Sequence, residues 1–186
     1  MLECLYRPSE RINFVTAFTV DKDGKATPKS KGETVERDAL IVRWGKDRMP
    51  RSEAGGWLRM NPLDGQGVTD ANVTAFRFAL IECDSVPVEL QMPLLAKLPL
   101  PIAAILTSGG RSLHAWVRVD ADTLDDYRQT VSRMLALLAK FGVDGKNKNP
   151  SRLSRLPGVV RCIGALGDGR QRLLYLNPQP TQKPIL

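Results

Sequence analysis

There is one histidine, His114, in 186 residues, so chemistry that needs two imidazoles from one chain is excluded, the H-E-x-x-H zinc site included. Cysteine is almost as scarce. Cys4, Cys83 and Cys162 are odd in number and far apart, forming neither a C-x-x-C pair nor a disulfide set, which argues against structural zinc. No run approaches the roughly 20 apolar residues that cross a bilayer. The start, Met1 to Arg7, has no apolar core of signal-peptide length, so a cytoplasmic protein without membrane contact is expected. Aromatics make up only 6%, and acid is the minority charge: 20 Asp plus Glu against 27 Lys plus Arg, a formal +7. That balance favours a polyanionic partner, nucleic acid first and anionic membrane a distant second. With 42% hydrophobic and 25% charged residues the composition is globular, of a size for one domain or two small lobes sharing a core.

What is present reads as α+β. Ile12 to Val20 is β-branched and aromatic, and predicts a strand. Asp21 to Arg37 predicts a solvated excursion or long hairpin loop, and Asp38 to Trp44 a returning strand. A basic stretch with Lys46, Arg48 and Arg51 follows, and Trp57 to Arg59 starts a short strand ending in a Pro/Gly turn. Phe76 to Asp84 predicts a strand and Pro87 to Leu98 a short helix. Ile102 to Thr107 and Arg111 to Val119 predict paired strands around Ser108-Gly109-Gly110. Thr123-Leu124-Asp125-Asp126 resembles a capping box, opening a helix that runs to Lys140 and stops at Gly142. Short strands at Leu156 to Cys162 and Arg172 to Leu176 complete a mostly antiparallel sheet.

Three constellations carry chemistry. Glu82 and Asp84 sit two apart at a strand end, so both point the same way, roughly 6.5–7 Å apart along the strand. Two carboxylates closing an apolar face repel unless a cation lies between them, and hard Mg²⁺ or Mn²⁺ suits their oxygens. Equally, the strand could simply emerge into solvent there. On the next motif, Ser112, His114, Trp116 and Arg118 share one strand face. The Gly109-Gly110 turn before Arg111 offers backbone donors of the kind polyphosphate sites use, although a lone histidine is more often a half-buried structural residue. Finally Asp144 follows the long helix and precedes Lys146, Lys148, Arg152 and Arg155, a phosphate-tracking strip or a solvated face.

In this order Glu82-Cys83-Asp84, Ser112-Leu113-His114 and Val143-Asp144 resemble the acid-x-acid, small-x-His and hydrophobic-Asp motifs of the archaeo-eukaryotic primase superfamily. The resemblance is to the primase-polymerases of phages, plasmids and other mobile elements in particular. The strings Trp57 to Pro62 and Arg155 to Gly158 look like the family too, so the resemblance spans roughly residues 55 to 176. It implies a primase-polymerase core within 1–186, with an N-terminal α/β part over about 1–70 and an RRM-like catalytic part over 71–186. It further implies template-dependent nucleotidyl transfer on single-stranded DNA. Glu82, Asp84 and Asp144 would hold two divalent ions, Mg²⁺ or Mn²⁺; Arg111, Ser112 and His114 would bind the nucleoside triphosphate. Arg152, Arg155, Lys146 and Lys148 would meet phosphate or template, and a replicative helicase or accessory domain would be a partner.

The first acid is Glu where the family more often has Asp, which lengthens one ligand and keeps its charge. These 186 residues contain no zinc-binding insertion, helical domain or helicase. These departures put primer initiation in question more than extension. The rival readings are a catalytically degenerate nucleic-acid-binding module of the same fold and a metal-dependent nuclease.

Overall fold

A computed structural model describes residues 1–46 and 49–185. Arg48, part of the basic stretch above, lies outside the described residues. In chain order the elements are α1 (Leu2–Leu5), β1 (Arg11–Val15), β2 (Phe18–Val20), β3 (Ala26–Pro28), β4 (Glu33–Glu36), α2 (Arg37–Lys46) and β5 (Trp57–Arg59). Then come β6 (Phe76–Glu82), α3 (Val88–Lys97), β7 (Ile102–Thr107), β8 (Leu113–Ala121), α4 (Leu124–Leu138), β9 (Leu153–Arg155) and β10 (Leu173–Leu176). Mixed α and β with mostly antiparallel pairing is the class the sequence predicts.

One sheet has the order β4-β1-β5-β9 and another β10-β7-β8-β6, with β2 and β3 a separate hairpin. All their pairings are antiparallel. Helices α3 and α4 cover one face of the second sheet: Ala79, Ile81, Ala115 and Val117 pack there with Leu95, Tyr127, Val131 and Leu135. The opposite face packs on the first sheet, joining Phe78, Leu80 and Trp116 to Ile12, Phe14, Leu58 and Met60. Each large side chain so buried contributes about 1.5–3 kcal/mol. The strand β9, late in the chain, closes the edge of the sheet built by the early residues. It thereby carries Ser154 and Arg155 across to the second sheet.

Four sequence expectations change. Asp38 to Trp44 is helical: Leu40 is fully buried and Trp44 packs on the same core, so i,i+4 burial overrides the β propensity of Ile41 and Val42. The strand expected over Ile12 to Val20 breaks into β1 and β2, which pair in different sheets. The excursion over 21–37 is not all loop, since it contains β3 and β4. The late strand lies at Leu153–Arg155, ahead of Leu156 to Cys162, where only isolated bridges from Val160 and Arg161 form. The register of β6 shifts between Phe76 and Phe78, which sends Phe76 to the helix-covered face, away from Phe78 and Leu80. Half of the expected α4 capping box forms: Thr123 Oγ1 accepts from the Asp126 amide at 3.1 Å, but the Asp126 carboxylate takes the Thr123 hydroxyl at 2.6 Å in place of its amide. Gly142 ends the segment at φ 80°.

Candidate active site

Glu82 ends β6 and is registered opposite His114 of β8, so the side chains meet directly. His114 Nε2 lies 3.2 Å from Glu82 Oε1, and the Ser112 hydroxyl donates to the same oxygen at 3.2 Å. His114 is only 6% exposed. Its other nitrogen, Nδ1, lies 3.1 Å from Ser154 Oγ, which also accepts from Trp116 Nε1 at 2.8 Å. An indole nitrogen only donates, so Ser154 Oγ accepts from Trp116 while it pairs with Nδ1, and Nε2 faces the Glu82 carboxylate. A serine from the other sheet thus orients the histidine that holds the first acid.

The charges around this pair do not balance. Burial pushes the Glu82 carboxyl up, but the charge and hydrogen bond of His114, with Ser112 and Arg152, outweigh it and hold it well below the usual range. Asp84 goes the other way: partial desolvation and the neighbouring Glu82 charge raise it against the pull of Ser112, Arg111 and His114. Burial and both acids push the Cys83 thiol between them up to about 11. Arg155 stacks 4.6 Å over the Trp57 ring and donates to the Ala54 carbonyl at 3.0 Å. Burial and the like charge of Arg161 pull it down to about 10, against the attraction of Glu82 and Asp84. The opposed shifts show two carboxylates competing for the same cationic neighbours, and carboxylate oxygens are the hard donors that Mg²⁺ and Mn²⁺ take.

Asp144 reaches the same strand end through its backbone, donating from its amide to the Glu82 carbonyl at 2.8 Å. Its carboxylate accepts from the Lys146 amide at 2.9 Å within its own turn. Among the described residues, no three His, Cys, Asp or Glu side chains are gathered as a metal-holding group. Arg111 is exposed, as are Lys146 and Lys148, while Arg152 and Arg155 are half-buried beside the acids. The Gly109-Gly110 turn is packed by the chain itself. A Cβ on Gly109, which has φ +68°, would come within 2.4 Å of the Gly169 carbonyl, and one on Gly110 within 2.8 Å of the Gly164 carbonyl. The glycines admit the loop carrying Arg161, whose guanidinium donates to the Ser108 carbonyl at 3.4 Å.

The sequence pattern offers Trp57 only as part of a family-like string and does not single out Ser154. A small polar residue between Leu153 and Arg155 in a segment that alternates in and out of a core was the available signal. Ser154→Ala strands the buried Trp116 N–H, at a cost of about 1–3 kcal/mol. At 2–4 °C per kcal/mol for this chain length, a melting temperature lower by about 3–10 °C is expected. An unchanged melting curve would remove Ser154 from the site's support.

The chain is similar in fold to solved primase structures. The primase-polymerase domain of cyanophage S-2L superposes with a TM-score of 0.57 at 19% identity, covering 98% of this chain and 90% of that one. The catalytic domain of primase RepB′, solved with initiator DNA, gives 0.58 at 13% identity over 97% and 84%. A further RepB′ structure gives 0.57 at 16% over 97% and 56%. The chain has the primase-polymerase fold. No protein-family model and no curated protein matches it. In that primase-polymerase fold the acid pair stands at the end of β6, with Ser112 and His114 on the adjacent β8.

Proposed function

We propose that this chain is a template-dependent nucleotidyltransferase, a DNA primase/polymerase serving replication of a phage, plasmid or other mobile element. The observation that carries the reading is the Glu82–Asp84 pair held against Ser112 and His114 within a primase-polymerase fold. Glu82 and Asp84 would hold Mg²⁺ or Mn²⁺, which when bound neutralises charge at the transferring phosphoryl group. Asp144 would join them by turning its carboxylate out of the turn where it accepts from the Lys146 amide. Ser112 and His114 fix the Glu82 carboxylate, so that its orientation is set before substrate arrives. Arg111, exposed beside Asp84, would lead the contact with the incoming triphosphate. Arg152, Arg155, Lys146 and Lys148 would meet the phosphates of a single-stranded template. That one similar structure contains initiator DNA supports a DNA partner. No helix among the described residues is long and apolar enough to cross a membrane.

Both His114 nitrogens are already engaged, so contact with a triphosphate requires Nε2 to leave Glu82. His114→Ala is expected to raise the apparent KM for nucleotide more than it weakens template binding. Unchanged nucleotide affinity with a lower melting temperature would leave His114 a structural role alone.

The deciding experiment is primer extension beside de novo synthesis on single-stranded templates with Mg²⁺ or Mn²⁺. Stabilisation by Mn²⁺ and nucleoside triphosphate together, beyond either alone, is the expected thermal-shift result. Cleavage of single-stranded DNA without incorporation would make the protein a nuclease. Binding with neither reaction would make it a degenerate binding module.

A further inference from the structure

The second arginine-rich region of the molecule lies away from the acids. A small open cavity of about 170 Å³ is lined by Arg7, Arg77 and Arg118 together with Cys4, Tyr6 and Phe78, and none of its described lining residues is acidic. Arg77 sits five residues before Glu82 on β6, and Arg118 four residues beyond His114 on β8. At about 3.3 Å per residue the cavity is therefore roughly 13–17 Å from the acid pair along the strands.

Two of the three guanidiniums are fixed from behind. Arg77 donates to the Leu5 carbonyl at 3.0 Å and is ion-paired with Glu10, its side chain 12% exposed. Arg118 donates through Nε to Asp120 at 2.6 Å and through one terminal nitrogen to the Pro178 carbonyl at 2.9 Å. A guanidinium carries five N–H donors, so each keeps donors free after these bonds. Arg7 is exposed, and its guanidinium has no hydrogen bond or ion pair among the described residues. Glu10 and Asp120 offset the charges of Arg77 and Arg118. The unpaired Arg7 therefore leaves the cavity, which has no carboxylate among its described lining residues, with a net positive charge and spare N–H donors for an anion.

Size selects the ligand. Pockets for whole small molecules run about 300–1,000 Å³, so this cavity admits a phosphate group and not a nucleotide. We infer that Arg7, Arg77 and Arg118 form a second phosphate site, which holds one backbone phosphate of a nucleic-acid strand at the far end of β6 and β8 from the acids. The inference rests on the reading of the protein as a single-strand binder.

The test uses the intact protein and an oligodeoxythymidylate without terminal phosphates, titrated by fluorescence anisotropy across a range of salt. Arg7→Gln/Arg118→Gln is expected to bind at least about tenfold more weakly, the loss of one or more charge-assisted hydrogen bonds. The log–log salt slope should shrink by about 0.7, the share of one single-strand phosphate. Arg77 is left in place because its ion pair is largely buried.

Cys4 supplies an independent readout, because it lines the cavity and is exposed; Cys83 is buried, and Cys162, exposed elsewhere, is kept apart by reading the label peptide by peptide. The oligonucleotide should slow iodoacetamide labelling of Cys4 in the unmutated protein. Inorganic phosphate or a nucleoside triphosphate at equal phosphate concentration should not. Equal protection by the free anions would overturn the strand assignment. Normal strand binding by the unmutated protein, with slope and affinity unchanged in the variant, would overturn the pocket alone. Failure of the unmutated protein to bind any strand would overturn both the pocket and the nucleotidyltransferase reading.

Discussion

Asp84→Asn is expected to lower nucleotide incorporation by orders of magnitude while the protein stays folded and keeps its grip on single strands. The substitution keeps the size and hydrogen-bonding capacity of the side chain and takes one charge from the proposed cation-binding acids. A bound ion's help to a phosphoryl transition state is worth several kcal/mol, and each 1.36 kcal/mol is tenfold in rate. The fold has no reason to suffer. Asp84 is exposed, and the Glu82 charge beside it works against its ionisation, so the native carboxylate carries repulsion that Asn lacks. Strand binding should hold or tighten, because a negative charge leaves a surface that faces phosphates. Extension, strand affinity and melting temperature are measured on one preparation. Wild-type extension by a folded, strand-binding Asp84→Asn protein would remove Asp84 from catalysis.

The largest effect on stability is expected at Asn61, a fully buried amide in the chain just after β5. Strand β6 is an edge of its sheet, and the Asn61 side chain pairs with that edge as a neighbouring peptide would. Its Nδ2 donates to the Phe78 carbonyl at 2.9 Å and the Pro150 carbonyl at 3.0 Å. Its Oδ1 accepts from the amides of Arg77 at 3.0 Å and Phe78 at 2.9 Å, at the register shift of β6. Asn61→Ala orphans three of these four groups, the Phe78 carbonyl alone keeping another donor, the Tyr127 hydroxyl at 3.1 Å. At about 1–3 kcal/mol per orphaned group the loss is on the order of 4–5 kcal/mol, in the range that marks a broken buried network. Thermal denaturation should therefore show a melting temperature lower by about 10–20 °C. A drop of less than about 3 °C would mean that water replaces the amide and that the two sheets do not depend on it.

Much of this protein is legible from local pattern. The strands β6 and β7 announce themselves as short, near-continuous apolar runs, β8 by its alternation, and the helices α3 and α4 by 3.6-residue apolar spacing. The same alternation puts Ser112, His114 and Trp116 on one face and Ala115 and Val117 on the other. The strand-end position of Glu82, two residues from Asp84, follows from the same rule. Where local and distant forces disagree, the pattern fails. Ile41 and Val42 favour a strand, but burial of Leu40 and Trp44 against residues remote in the chain makes a helix.

Only the tertiary structure decides which groups surround the acids. Ser154 and Arg155 arrive on β9, paired to β5 nearly a hundred residues earlier, and no spacing within either segment encodes that pairing. The backbone bond from Asp144 to Glu82, and the amide of Asn61 on the edge of β6, likewise join segments far apart in the chain. Local pattern determines which face a side chain takes on its own strand or helix. What meets that face depends on sheet order and on buried hydrogen bonds that exist only once the chain has folded.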